Sequence, residues 1–355
     1  MEAILHIGTP KTGTTSIQKF LAGNEALLAE HGVLYPVTGR EVGKQRRQRG
    51  LVLSVLPVDR AGAGFDKVLN LKTTADRERY RQSFLESFEA EMKSAAPDRV
   101  VISDEALYLF LSTEALVGTL KAFLSRHFDR VRIVAYVRAP TSFVESSYST
   151  HLKMGGTRDI ADFAAHQRQA LSYWTKLSLW RDVFGADATT VREFSRPQLH
   201  REDVVLDFLH AILGIDIAPS DTSGGKSANT SIAPLGQHLL LAVNRRYAEA
   251  GEARPGFYRR FVSRKFKGSG QRLTADEAAR LTASLRDEID RLSADFFGGR
   301  TIFEAPVAPA VRSETPAASE LVAAAIEMSA AALKDGKKRK GSRRGQAGRL
   351  RQSGS

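Results

Sequence analysis

Four apolar residues and a histidine, "AILHI" (3–7), open the chain, and the pattern then turns abruptly to glycine, threonine and proline. A short continuous apolar run bounded by turn residues predicts a buried strand. From about Thr14 the apolar positions Ile17, Phe20, Leu21, Leu27 and Leu28 fall at helical spacing, and Gly32 is a fitting stop. "VLYP" (33–36) predicts a second short strand, while 37–75, rich in Gly, Arg and Lys and weakly periodic, predicts a long mobile excursion near a site. The alternation then resumes. Helices are expected over about 76–95, 113–127, 141–184 and 196–213, with strands at "RVVIS" (99–103), "VRIVAYV" (131–137) and "ATTVREF" (188–194) between them.

Apolar strands alternating with helices predict an α/β fold in three layers, a mainly parallel sheet flanked by helices on both faces. Such sheets bind ligands at the carboxyl ends of their strands. Beyond residue 214 the pattern weakens to a Ser/Gly/Thr/Asn loop (219–230) and helices at 232–249 and 273–296, a C-terminal helical part. The expected organisation is one domain over 1–300, then a Pro/Ala-rich linker and an alanine-rich helix (301–333), then a disordered basic tail (334–355).

The 355 residues suffice for a sizeable core, and contents of 42% hydrophobic and 26% charged residues are ordinary for a globular protein. No cysteine is present, which excludes disulfides, thiolate metal sites and a cysteine nucleophile. The net charge of +12 is mostly a tail property, because 334–351 hold nine Lys/Arg against one Asp. With no secretion signal and no apolar run of membrane length, the chain reads as cytoplasmic, with association at a membrane surface open through the tail.

The turn after the first strand carries the chemistry. "HIGTPKTGTT" (6–15) spaces Gly8 and Gly13 as in a phosphate-binding loop, yet the lysine expected after the second glycine is replaced by Thr14, and Lys11 stands in the bend instead. A strand–loop–helix turn of this kind aims backbone N–H groups and the helix dipole at an anion. By itself it leaves kinase, NTPase and group-transfer chemistry open. Lys11 alongside the anion suits charge developing on a leaving group better than it suits a triphosphate tail.

At these residues, "TPKTGTTSIQKFL", the chain resembles the 5′-phosphosulfate loop of sulfotransferases that use 3′-phosphoadenosine-5′-phosphosulfate (PAPS), the carbohydrate-directed and bacterial members above all. The resemblance requires an arginine at a later strand end and a serine eight residues on, for a 3′-phosphate. "YVRAPTSFVESSY" supplies Arg138 and Ser146. Weaker similarity continues through "VREFSRPQLHREDVVLDFLHAILGID" (191–216), "NTSI" (229–232) and "LRDEIDRLSADFF" (285–297), covering about residues 1–300.

The resemblance implies metal-independent, in-line sulfuryl transfer to a hydroxyl of a carbohydrate or glycolipid, with adenosine 3′,5′-bisphosphate as product. It assigns the 5′-phosphosulfate to Lys11, Thr12, Gly13, Thr14 and Thr15, and the 3′-phosphate to Arg138 and Ser146. A base is still needed. "SDEALYLF" (103–110) offers Glu105 and Asp104 at a strand end, although Ser103 as N-cap followed by two acids is equally a plain helix start. His151 is a further candidate, and His6 reads as a packed core histidine. The base motif of the heparan-type enzymes has no clear match, and no metal-ligand cluster is evident.

The arginines of "GKQRRQRG" (43–50) could meet an anionic acceptor or lie solvated, and Lys267/Gly268 weakly match a cofactor-contacting loop. The tail suits an anionic partner, membrane or nucleic acid. Two other readings stand beside the sulfotransferase one: a kinase using ATP on the same loop, and a non-catalytic nucleotide- or nucleic-acid-binding protein.

Overall fold

Strand β1 (Glu2–His6) is shielded on both faces, with Ala3, Ile4, Leu5 and His6 all inaccessible. That burial follows from its place at the centre of a five-stranded sheet with β2 (Val33–Leu34), β3 (Arg99–Ser103), β4 (Arg130–Val137) and β5 (Thr189–Glu193). The order is β2-β3-β1-β4-β5 and every pairing is parallel. His6 is level with Ser103 on one side and Val134 on the other. The three-layer α/β architecture is therefore as expected, and the computed structural model describes residues 1–40, 46–57, 69–219, 231–303 and 316–334.

By internal contacts the chain divides into two compact units. The first, formed by 1–139, 170–227 and 285–304, contains the whole sheet. Ile4, Val101, Val134 and Tyr136 pack on one side of it against Ile17, Phe20, Leu21, Val205, Phe208 and Leu209. Chain connections leave the strands at their carboxyl ends at residues 7, 104, 138 and 194, which gathers all four junctions at one end of the sheet.

The second unit, from 140–169, 228–284 and 305–355, is helical among its described residues. Ser149 is its buried tie: Oγ accepts from Ile232 N–H (3.0 Å) and from Gln237 Nε2 (2.9 Å). Gln237 Oε1 in turn accepts from Gln271 N–H at 2.8 Å, and Asn244 Nδ2 donates to the carbonyls of Leu152 and Gly156. Lys267 and Gly268 lie here, where Lys267 forms an antiparallel bridge with Ile232.

Several sequence expectations are corrected. The excursion 37–75 is not irregular throughout: Arg49–Val55 is a helix with Leu51, Val52 and Val55 buried, although 41–45 and 58–68 lie outside the described residues. The expected helix over 196–213 is broken into two 3₁₀ turns, a short α-helix and a π-turn (Phe208–Leu213), because Arg201 and Glu202 take left-handed φ of 51° and 57°. Residues 273–296 are two helices, Ala275–Ser284 and Arg286–Phe297, that fall in different units. The linker 305–318 and the tail lie almost wholly outside the described residues, whereas 318–334 is helical. Among the described residues no helix is long and apolar enough to cross a membrane.

Candidate active site

The loop between β1 and the helix Thr14–Leu21 is set by three left-handed residues, Gly8 (φ 64°), Lys11 (φ 69°) and Gly13 (φ 78°). Gly13 is obligatory for space as well as conformation, because a Cβ there would lie 2.6 Å from Val204 Cγ1. The loop is stitched from within. Thr12 Oγ1 donates to Thr9 O (2.7 Å), and Thr9 Oγ1 donates to Tyr136 O of β4 (2.7 Å). Ile7 N–H donates to Val134 O at 3.0 Å, so the loop starts on the sheet's own ladder.

The helix Thr14–Leu21 carries no side-chain N-cap and no acidic residue in its first turn. Its positive end is therefore left for a ligand. Thr14 Oγ1 is buried beside Glu105, whose carboxyl it helps to hold down, and an anionic oxygen at this helix end would meet the same hydroxyl. Left-handed Lys11 is the unusual member. A non-glycine residue in that region is strained, and such strain gathers at functional turns.

Arg138, the residue after β4, reaches this bend: Nη1 donates to Lys11 O at 2.9 Å, and the guanidinium lies 5.3 Å from the centroid of Phe194. Lys11, Thr12, Gly13, Thr14, Thr15 and Arg138 are thus brought together in the first unit. Ser146, on the helix Pro140–Lys153, belongs to the second.

The two neighbouring acids at the end of β3 separate in role. Asp104, fully buried, caps the helix Glu105–Phe110 by accepting from Ala106 N–H (2.8 Å) and pairs with Arg49 Nε at 2.6 Å. Both carboxylate oxygens are committed, which argues against Asp104 as the base. The cap is Asp104 rather than Ser103, whose Oγ instead meets His6 Nδ1 at 2.8 Å. Glu105 lies beside the loop: a Cβ built on Gly8 would be 3.2 Å from both its Cγ and Thr14 Oγ1. Burial, and next the charge of Asp104, push the Glu105 carboxyl above the usual range, with Thr14, Arg47 and Arg49 pulling back. A carboxylate made more basic in this way is suited to accept a proton.

Arg49 corrects the reading of "GKQRRQRG" as exposed cations, because it is buried against Asp104, and residues 43–45 lie outside the described residues. Gln48 is buried too, accepting from Ser103 N–H (2.9 Å) and donating to Pro36 O (3.1 Å). Neither was visible as a site residue, since the contact with β3 spans 55 residues of chain. His6 is the core histidine expected, packed against Tyr136 and Phe208 and lowered by burial to a pKa of about 3. His151 lies in the second unit among Tyr148, Phe163 and Gly156, where burial and then Arg158 lower its pKa.

One trio escapes sequence reading. His200, His210 and Asp216 hold potential ligand atoms within 4.8 Å of one another, with the two imidazoles stacked at 4.0 Å and His210 Nδ1 bonded to Asp216 at 2.7 Å.

No family model matches the chain. An uncharacterized protein of Archaeoglobus fulgidus is 28% identical over 211 residues, 58% of this chain and 55% of that protein, so the chain spans about half the length of the curated relative it matches. Solved structures similar to it are bacterial sulfotransferases. One from Alicyclobacillus acidocaldarius gives a TM-score of 0.42 at 14% identity, covering 82% of this chain and 94% of that one. The sulfotransferase domain of the Synechococcus PCC 7002 olefin synthase gives 0.36 at 15% identity, covering 81% and 94%.

Proposed function

We propose that the protein is a sulfotransferase that takes a sulfuryl group from PAPS to a hydroxyl, of the carbohydrate or glycolipid class that the loop's resemblance implies. The observation that carries this reading is the loop itself: an uncapped helix N-terminus, a buried Thr14 hydroxyl and a left-handed Lys11 tied to Arg138, with a proton-hungry Glu105 beside them. Bound PAPS would supply an activated sulfuryl group on a good leaving phosphate. The backbone of 12–15 and the Thr14 hydroxyl would hold the anion, and Lys11 would stabilise the charge that accumulates as the bridging oxygen departs. Glu105 would take the acceptor's proton. Positioning and electrostatics dominate such a transfer.

Thermal shift separates this reading from its rivals. Adenosine 3′,5′-bisphosphate is expected to raise the melting temperature without added magnesium, and by more than Mg-ATP does. A strong response to Mg-ATP with none to the bisphosphate would overturn the proposal in favour of a kinase.

A further inference from the structure

In the second unit, the helix over 318–334 turns one apolar stripe inward and a second outward. Ala324 and Met328 are buried, while Val322, Ile326 and Leu333 are 58%, 65% and 70% exposed. These three recur at i, i+4 and i+11, which places them on one outer face. Acidic side chains do not interrupt that stripe. Glu320 accepts from Ala317 N–H at the helix start (2.9 Å), and Glu327 is paired with Lys265.

The Lys265 pair ties this helix to the helix Gly256–Lys265, which lies in a uniformly basic stretch. Residues 253–272 contain seven Lys/Arg and no acid. Arg259, Arg260, Arg264, Lys265, Lys267 and Arg272 are exposed. The sequence directly after the outward-facing stripe, 334–351, adds nine Lys/Arg. An outward apolar stripe and a cationic helix thus belong to one unit, and a second cationic segment follows in the sequence.

We infer that the outward stripe of this helix docks on an anionic phospholipid bilayer. The neighbouring cations would gather at acidic headgroups while Val322, Ile326 and Leu333 enter the acyl boundary, a pairing of two weak signals that together give reversible attachment. Nucleic acid would meet the same cations. It offers nothing to the three apolar side chains, and these decide for the bilayer. The inference does not rest on the sulfotransferase reading.

Co-sedimentation of the full chain with vesicles tests it. Binding is expected to vesicles of phosphatidylcholine with about 30 mol% phosphatidylglycerol, to be weak on phosphatidylcholine alone, and to fall steeply by about 0.5 M salt. Combined Val322→Ser, Ile326→Ser and Leu333→Ser should weaken binding about tenfold without moving the melting temperature, since all three side chains are exposed. Removing 335–355 should weaken it as well and flatten its salt dependence. Undiminished binding by the triple-serine variant would overturn the inference. So would no binding to acidic vesicles, or vesicle binding abolished by an equal charge of duplex DNA that the triple variant binds as tightly as the parent.

Discussion

At the β4–β5 side of the sheet, Asp207 accepts two hydrogen bonds from Arg192 (both 2.7 Å), one from Tyr136 Oη (2.8 Å) and one from His200 N–H (2.8 Å). At the β1–β3 side, Glu105 feels the charges of Arg47 and Arg49 but makes no such set of bonds, and its neighbour Asp104 takes the Arg49 pair. Burial alone would raise both carboxyls. For Asp207 the Arg192 bonds, the His200 amide and the Tyr136 hydroxyl outweigh burial and hold the pKa down. For Glu105 burial and the Asp104 charge win. The difference lies in hydrogen bonding to the ionised form, and it marks the first group as structural and the second as chemically available.

The largest effect should come from breaking the arginine pairs. Arg49→Met leaves Asp104 charged in a dry site and is expected to cost about 4 kcal/mol of unfolding free energy. Arg192→Met should cost less, about 3 kcal/mol, because Tyr136 and His200 still donate to Asp207. Urea unfolding measures both. Equal losses would mean that the extra donors around Asp207 contribute nothing. Arg49→Met should also raise the Glu105 carboxyl further, and Arg192→Met should not.

Next in size are two rate effects, read in a sulfuryl-transfer assay. Glu105→Gln keeps the shape and removes the proton acceptor, with an expected loss of about 10²–10⁴ in kcat. The melting temperature should not fall, and unchanged turnover would remove Glu105 from the reaction. Lys11→Ala should lower kcat by about 10²–10³ while the bisphosphate still shifts the melting temperature. Alanine keeps the left-handed strain of that position, so the change isolates the amino group. A variant that lost bisphosphate binding altogether would make Lys11 a binding residue instead.

These residues also show what sequence reading can reach. The loop was legible because its demands are local: Gly8 and Gly13 take left-handed backbone, Thr14 opens a helix, and a buried strand precedes them. The β1–β4 alternation was legible for the same reason. The Arg49–Asp104 pair was not, because nothing local in "GKQRRQRG" says which arginine crosses 55 residues to a buried carboxylate. The break at 201–202 was equally hidden, since Arg and Glu are not residues that announce left-handed backbone. Glu105 and Asp104, adjacent and chemically alike, were told apart by the helix cap and the Arg49 pair that one of them makes.

The smallest effect is the one that tests the comparison most directly, the sign of the pH dependence of stability. Asp207 has its folded pKa held below the unfolded value, so the native state releases its proton more readily. Its stabilisation is full above the unfolded pKa and is lost as pH falls through the folded one. Glu105 runs the other way. With its folded pKa raised above the ordinary 4.5, the native state holds the proton more tightly, and stability falls as pH rises from the unfolded pKa through the folded one. Glu105→Gln removes that penalty. At pH 7 the variant should be slightly more stable than the parent in urea, and the gain should vanish as pH drops below the unfolded value. A gain that persisted in acid would have a packing origin, and a loss at pH 7 would mean that the Glu105 carboxylate is stabilised by its surroundings, which would erase the distinction from Asp207.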